Sequence, residues 1–181
     1  MVSVMIFSVV MTVALGALLA MSHADQRAEA VKSVVNNLNF ALDSMSRTIR
    51  TGYNYHCGTS GSDFSTPAPQ NCSGAGGSQT YLAFRAADGT LKAYCLDAGV
   101  IKREEVTSGS LGTNCSAADF YPLTADSITI TSLQFIVTGA AAGDAVQPKV
   151  TLLLSGEYRV SATQTTQFNL QTSITQRIYD Q

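Results

Sequence analysis

Charge is scarce in this chain. Of its 181 residues, 11 are Lys or Arg and 13 are Asp or Glu, leaving a net charge of −2. No basic stripe is present, so the electrostatic footprint of nucleic-acid binding is missing and no nucleic-acid partner is expected. Histidine is limited to His23 and His56, and the cysteines Cys57, Cys72, Cys95 and Cys115 form no C-x-x-C pair. Zinc needs closely spaced nitrogen and sulfur ligands, so no metal is expected. The chain has no Walker loop, no G-x-G-x-x-G, no H-E-x-x-H and no G-x-S-x-G. The Gly74-Ala75-Gly76-Gly77 run lacks a following lysine and helix, and reads as a flexible loop rather than a phosphate cradle. His56 stands beside Cys57, but adjacent residues seldom face one another. Asp97, Glu104, Glu105, Asp119 and Asp126 lack the spacing of a calcium loop, and most read as solvated surface charges. The expectation is a protein that is not an enzyme and carries no cofactor.

Charge is missing altogether from the first 24 residues; Asp25 is the first. The stretch Met1 to Met21 reads MVSVMIFSVVMTVALGALLAM. As a helix at ~1.5 Å per residue it spans about 31 Å, the thickness of a bilayer's hydrocarbon core. In lipid the backbone must satisfy its own hydrogen bonds, and a continuous helix does so.

The helical period continues past the apolar run. Ala28, Val31, Val34, Val35, Leu38, Ala41, Leu42, Met45 and Ile49 recur at steps of three and four and form one apolar stripe. Gly52 follows as a stop signal. Three readings of the N-terminal segment stand. It is a cleaved signal peptide, with Ser22-His23-Ala24 as the cleavage site; a plain signal anchor; or a segment that spans the membrane and later packs into a filament core. The first lacks a positive n-region and has a long apolar run. The unbroken phase across Ala24 favours the other two. The domain expectation is 1–23 as transmembrane or filament-core helix, 24–51 as its amphipathic continuation, and 52–181 as an extracytoplasmic β-rich head.

The segment MVSVMIFSVVMTVALGALL resembles the stretch after the processing site of type IV pilins and type II secretion pseudopilins. NNLNFALDSMSRTIRTGYNYHC, from Asn36 to Cys57, is similar to minor pilin-like proteins of the prepilin-type cleavage and methylation family. TTQFNLQTSITQR, from Thr165 to Arg177, is similar to the closing strand of the larger pseudopilins. The family's basic leader, cleavage-point glycine and early glutamate are not found in the sequence from Met1 onward, and by alignment Met1 falls just inside the mature N-terminus; the expectation is either a truncated chain that lacks the leader and first mature residues or a divergent member. The resemblance implies a pilin-like roll, α+β, with a long N-terminal helix packed on an antiparallel β-sheet. It implies a structural subunit, of the minor kind, of a pilus or secretion filament. Other pilin subunits, an inner-membrane platform and assembly machinery, and a prepilin peptidase acting on a leader-bearing precursor are the implied partners. Filament-core packing would fall to Val4, Phe7, Val10, Val13, Leu15 and Leu18, with Gly16 permitting close approach or local unwinding.

Beyond the helix, residues 51–79 are rich in Gly, Ser, Thr and Pro and read as a long surface loop carrying Tyr53, Tyr55 and Phe64. From Thr80 the period becomes two. TYLAFR, the Asp88-Gly89 turn, LKAYC, Gly99 and VIKREEV make a three-strand meander. Thr107 to Leu123 is irregular. Three longer strands follow, SITITSLQFIVTG with a bulge near Ser132, PKVTLLLSGEYRV and TTQFNLQTSIT. Four cysteines allow three pairings, and Cys57–Cys72 with Cys95–Cys115 closes the shortest loops; each is worth roughly 3 kcal/mol in the chain-entropy account. Disulfides place the head in an oxidising compartment. The competing function is a bitopic or secreted β-domain that binds a surface ligand through the 52–79 loop, without forming filaments.

Overall fold

The computed structural model describes residues 2–58, 68–72, 79–112, 114–141, 146–161 and 164–177. Phe64, the Gly74–Gly77 run and most of the 52–79 loop lie outside them. The protein is α+β. One helix, α1 (Val2–Arg50), precedes eight strands: β1 (Tyr53–Gly58), β2 (Tyr81–Arg85), β3 (Leu91–Asp97), β4 (Val100–Val106), β5 (Tyr121–Pro122), β6 (Ile128–Thr138), β7 (Lys149–Ser161) and β8 (Gln164–Thr175). Two compact units divide the chain, residues 1–36 and 37–181.

Two antiparallel sheets replace the single sheet expected. One runs β1-β2-β3-β4-β5 and the other β6-β7-β8. They are stitched along β6, where the Ile130 N–H donates to the Gly99 carbonyl (2.8 Å), Phe135 to Gln79 (2.9 Å) and Cys72 to Val137 (2.8 Å). The meander turns as its sequence requires. Ala98 and Gly99 carry φ of 49° and 79° between the paired Asp97 and Val100, the two left-handed residues of a tight hairpin. At the other turn Thr90 donates from its N–H and hydroxyl to Asp88 Oδ1 (3.0 and 2.6 Å). The bulge near Ser132 appears as a register shift between Ile130 and Ser132.

Three sequence expectations are corrected. Tyr53–Gly58 is a strand and not part of a surface loop; it pairs with β2 and buries Tyr55, His56 and Cys57. Asn54, at φ 57°, and a register shift between Tyr53 and His56 break the alternation that would have revealed it. The second correction is small: the 107–123 segment is irregular as expected except for β5 at Tyr121–Pro122, and its described residues form a cover. It closes the far face of β2 and β3, where Leu111 and Phe120 join Tyr81, Ala83, Leu91, Ala93 and Cys95 in one apolar cluster. Four successive residues of β2, Tyr81 to Phe84, are therefore buried. Odd positions meet the cover, while Phe84 meets Tyr55 and Tyr94, each with ring centroids 5.9 Å away.

The third correction is Glu104, expected as a surface charge but only 2% exposed. Its carboxylate accepts the Gly112 N–H at 2.8 and 3.0 Å, which pins the cover to β4. Burial raises its pKa, the Gly112 bond opposes the shift, and Asp119 adds to it. Its neighbour Glu105 is exposed and pairs with Lys92 (2.9 Å).

Candidate assembly surface

The apolar half of α1 is helical throughout, Gly16 included, and nothing lies within 4 Å of where a Cβ on Gly16 would be. The residues singled out for packing are all outward: Val4, Phe7, Val10, Val13, Leu15 and Leu18 are between 58% and 68% exposed. Thirteen large apolar side chains between Val2 and Met21 are exposed in this way. Burying each is worth roughly 1.5–3 kcal/mol, so the segment forgoes on the order of 20–40 kcal/mol in water. That exceeds the total stability of an ordinary domain, about 5–15 kcal/mol. The segment is long and apolar enough to cross a membrane once. Such a segment could anchor the chain in a membrane.

In residues 37–50 the same helix is built into the head. Ala41, Met45 and Ile49 are at most 1% exposed, and Leu38 is 5% exposed. Val34, in the first unit, is buried too, whereas Ala28, Val31 and Val35 of the expected stripe are exposed and Leu42 is half-buried. The helix end is fitted closely. Gly52 donates to the Ile49 carbonyl (3.0 Å), and a Cβ at position 52 would stand 2.5 Å from Phe84 Cδ2. Glycine is required there by close approach to that ring, not by a left-handed backbone. Arg177 N–H donates to the Arg50 carbonyl (2.8 Å), tying the chain after β8 to the helix end.

Sequence reasoning missed Phe40. It is 73% exposed, on the face of α1 opposite Leu38, Ala41, Met45 and Ile49. Its helical neighbours Asp43 and Arg47 pair at 2.8 Å on the exposed surface. The signal was available, because Phe40 is out of phase with the stripe by about half a turn.

The four cysteines form two disulfides, Cys57–Cys72 with Cα atoms 6.3 Å apart and Cys95–Cys115 with Cα atoms 6.1 Å apart. The first fastens the chain near residue 72 to β1. The second fastens the 107–120 cover to β3, beside a polar clasp in which Asp97 accepts from Lys102 (2.6 Å) and Ser116 (3.1 Å). The Lys102 bond, first, and then the Ser116 bond hold the Asp97 carboxyl below its usual pKa. His56 Nδ1 lies 2.8 Å from the Ala68 carbonyl, and Cys57 is held in a disulfide with Cys72. Among the described residues no cluster of His, Cys, Asp or Glu could hold a metal ion. The two disulfides fit a head that matures in an oxidising compartment.

Comparison of the chain with protein-family models, with curated proteins and with solved structures finds no match. The arrangement itself is one N-terminal helix, apolar and exposed in its first half, whose last turns are packed on antiparallel sheets; it is compatible with a pilin-like fold.

Proposed function

We propose that the chain is a structural subunit, of the minor kind, of a type IV pilus or type II secretion-like filament. One observation carries this reading. A single unbroken helix holds both an uncharged membrane-length segment and the residues that complete the core of the head. An anchor serving only as a tether does not need helical continuity with its domain. A subunit whose helix moves from lipid into a bundle of like helices does, because the head must be positioned by the helix that packs.

In this reading Met1–Met21 holds the subunit in the membrane with its head outside the cytoplasm. Burial of the same side chains among neighbouring helices offsets the loss of lipid on extraction. The partners are other pilin subunits, an inner-membrane platform with its assembly machinery, and a prepilin peptidase acting on a leader-bearing precursor. The chain catalyses nothing, carries no cofactor and does not bind nucleic acid.

The test is incorporation of the full chain into filaments, read by shearing cells and blotting the filament and membrane fractions. Leu15→Asp is expected to leave the head folded and remain in the membrane fraction or be degraded, with filament material lost. Normal incorporation of Leu15→Asp would overturn the reading. The N-terminus of the native protein, by intact mass and terminal peptide sequencing, gives a second check. A methylated terminus upstream of Met1 supports the filament reading, and a terminus at Asp25 sinks it.

A further inference from the structure

One corner of the β6-β7-β8 sheet carries a cavity of about 470 Å³ on its solvent face, lined by Asp126, Ser127, Thr129, Glu157, Arg159 and Thr165. Register explains why these residues meet. Thr129 is paired with Glu157, and Arg159 with Thr165. Ser127 lies one residue before the Ile128–Tyr158 pair, which sets it opposite Arg159. Side chains alternate between the faces of a sheet, so these five share the face opposite the buried Ile128, Ile130 and Tyr158. Asp126 comes from the turn before β6, which the Ile128 N–H closes on the Ala125 carbonyl (3.0 Å). The ladder shifts beside the cavity on two strands, between Ile130 and Ser132 in β6 and between Arg159 and Ser161 in β7. A bulge bends its strand and increases the local twist, so this corner is where the sheet departs from a flat surface.

The charges in this cavity have no partners. Among the described residues, none of the six lining side chains makes a hydrogen bond or an ion pair within the molecule. The depression lined by Arg47, Asp88 and Lys92 shows the contrast. There Arg47 pairs with Asp43, Lys92 pairs with Glu105, and Asp88 accepts from Thr90. Glu157 and Arg159 are opposite in charge and next to each other on one face of β7, yet they stay apart. Residues two apart on a strand are separated by roughly 7 Å, and an ion pair needs about 4 Å. A carboxylate and a guanidinium thus stand side by side over one space, each open to a group from outside.

We propose that this cavity binds a short zwitterion of dipeptide length, its ammonium held by Glu157 and Asp126 and its carboxylate by Arg159. The lining selects this class over the alternatives. A metal cation would face the guanidinium, and among the described residues no group of three His, Cys, Asp or Glu is present to hold one. An anion would face the two carboxylates. A neutral sugar would find no aromatic ring in the lining and would leave all three charges without a counter-charge. Length decides within the zwitterions. A free amino acid holds its ammonium and carboxylate about 2.5 Å apart, whereas an extended dipeptide spans roughly 7 Å, the spacing of Glu157 and Arg159. Ser127 and Thr165 flank Arg159 and can donate to the carboxylate, and Thr129 beside Glu157 can accept from the ammonium. Bonds to ionised groups are the strong ones, so the two ends fix the ligand's direction. The proposal does not need the filament reading, because every lining residue belongs to the head.

Titration calorimetry of the full chain in detergent, at low salt and with its disulfides intact, tests this with L-alanyl-L-alanine as the probe. Saturable binding is expected. Acetylating the ammonium, amidating the carboxylate, or shortening the probe to L-alanine is each expected to weaken binding at least about tenfold. Arg159→Gln and Glu157→Gln are each expected to weaken binding of L-alanyl-L-alanine by at least about the same factor. Neither side chain has an internal partner to lose, so far-ultraviolet circular dichroism and the urea midpoint are expected to stay unchanged. Asn169→Ala, on the same face of the sheet but outside the cavity, is expected to bind like the wild type.

Any of four results overturns the proposal: no saturable binding of L-alanyl-L-alanine up to about 10 mM, equal binding of the acetylated or amidated probe, wild-type binding by Arg159→Gln or Glu157→Gln, or an equal loss in Asn169→Ala. Tighter binding of D-glucose, inorganic phosphate or calcium than of L-alanyl-L-alanine also overturns it, and assigns the cavity to a polyol, an anion or a cation. Leu15→Asp is expected to lose filaments and keep dipeptide binding, so the two proposals fail independently.

Discussion

The hydroxyl of Tyr55 lies 2.6 Å from the carbonyl oxygen of Ile49 and 2.6 Å from that of Gly52. One proton is shared between two acceptors at the C-terminal end of α1: the Ile49 carbonyl, which also accepts from the Gly52 N–H, and the Gly52 carbonyl just beyond the helix. Burial raises the pKa of this hydroxyl above the ordinary tyrosine range, so it stays a donor at all physiological pH. Tyr55→Phe keeps the ring packed on Phe84 and removes the donor. The expected loss is about 1–2 kcal/mol, seen as a lower urea midpoint with unchanged slope.

Gly52 gives a complementary prediction. Alanine there must displace Phe84 or shift the helix end, since its Cβ would fall 2.5 and 2.9 Å from two ring atoms. Overpacking of this kind costs about 1–3 kcal/mol. Gly52→Ala is expected to lower the denaturation midpoint, and trimming the ring in Gly52→Ala/Phe84→Leu is expected to recover part of the loss.

Glu104 makes stability depend on pH in a defined direction. Its folded pKa is raised, by burial first, so the folded state prefers the protonated acid. The group's contribution is most favourable below its unfolded pKa and is lost as pH rises through the raised folded value. Tyr81 and Asp119 face it; Tyr81 stays neutral, because burial raises its pKa too. Asp97 acts in the opposite sense, because its lowered pKa gives stability above the unfolded value that is lost as pH falls. Glu104→Gln, measured by urea denaturation from pH 4 to pH 7, is expected to flatten the decline on the alkaline side. Glu104→Ala is expected to cost about 1–3 kcal/mol by leaving the Gly112 N–H without its acceptor.

The Cys95–Cys115 bond closes a loop that carries the cover over β2 and β3. Replacing both cysteines with alanine is expected to cost roughly 3 kcal/mol. Limited proteolysis should then cut between residues 107 and 120 before any other described segment of the head. Uniform loss of resistance across the head would contradict the role of this bond as the clasp of the cover.

Phe40 contributes nothing to the fold that its exposure allows. Phe40→Ser is expected to change stability by less than about 0.5 kcal/mol. Under the filament reading, recovery of sheared filament material is expected to fall, because a large apolar side chain isolated among polar neighbours is what a subunit contact uses. Unchanged recovery would remove Phe40 from that contact.

Much of this architecture can be read in the chain. The apolar run, the phase from Val34 to Ile49, the turns at Asp88-Gly89 and Gly99, and the strands beginning at Ile128 and Lys149 each follow from local pattern. Where reading failed, either the local pattern was broken or burial depended on a segment outside it. Val31 shares the phase of Ile49 yet is exposed, because phase identifies a face and burial needs something opposite it. Tyr53–Gly58 looks like loop, because Asn54 and a bulge interrupt its alternation. Glu104 looks like any strand-surface acid until Gly112, eight residues on, folds back over it.

Composition and periodicity alone determined that a membrane-length helix leads into an amphipathic one and then into antiparallel strands. They also placed four cysteines at spacings that close short loops. These properties arise from neighbours within a few residues. Tertiary structure decided that the strands form two sheets joined along β6, that the irregular 107–120 segment is a lid on the core, and that Phe40 remains uncovered. It also decided which side chains stand beside Glu157 and Arg159, because cross-strand neighbours are set by register and not by the strand itself.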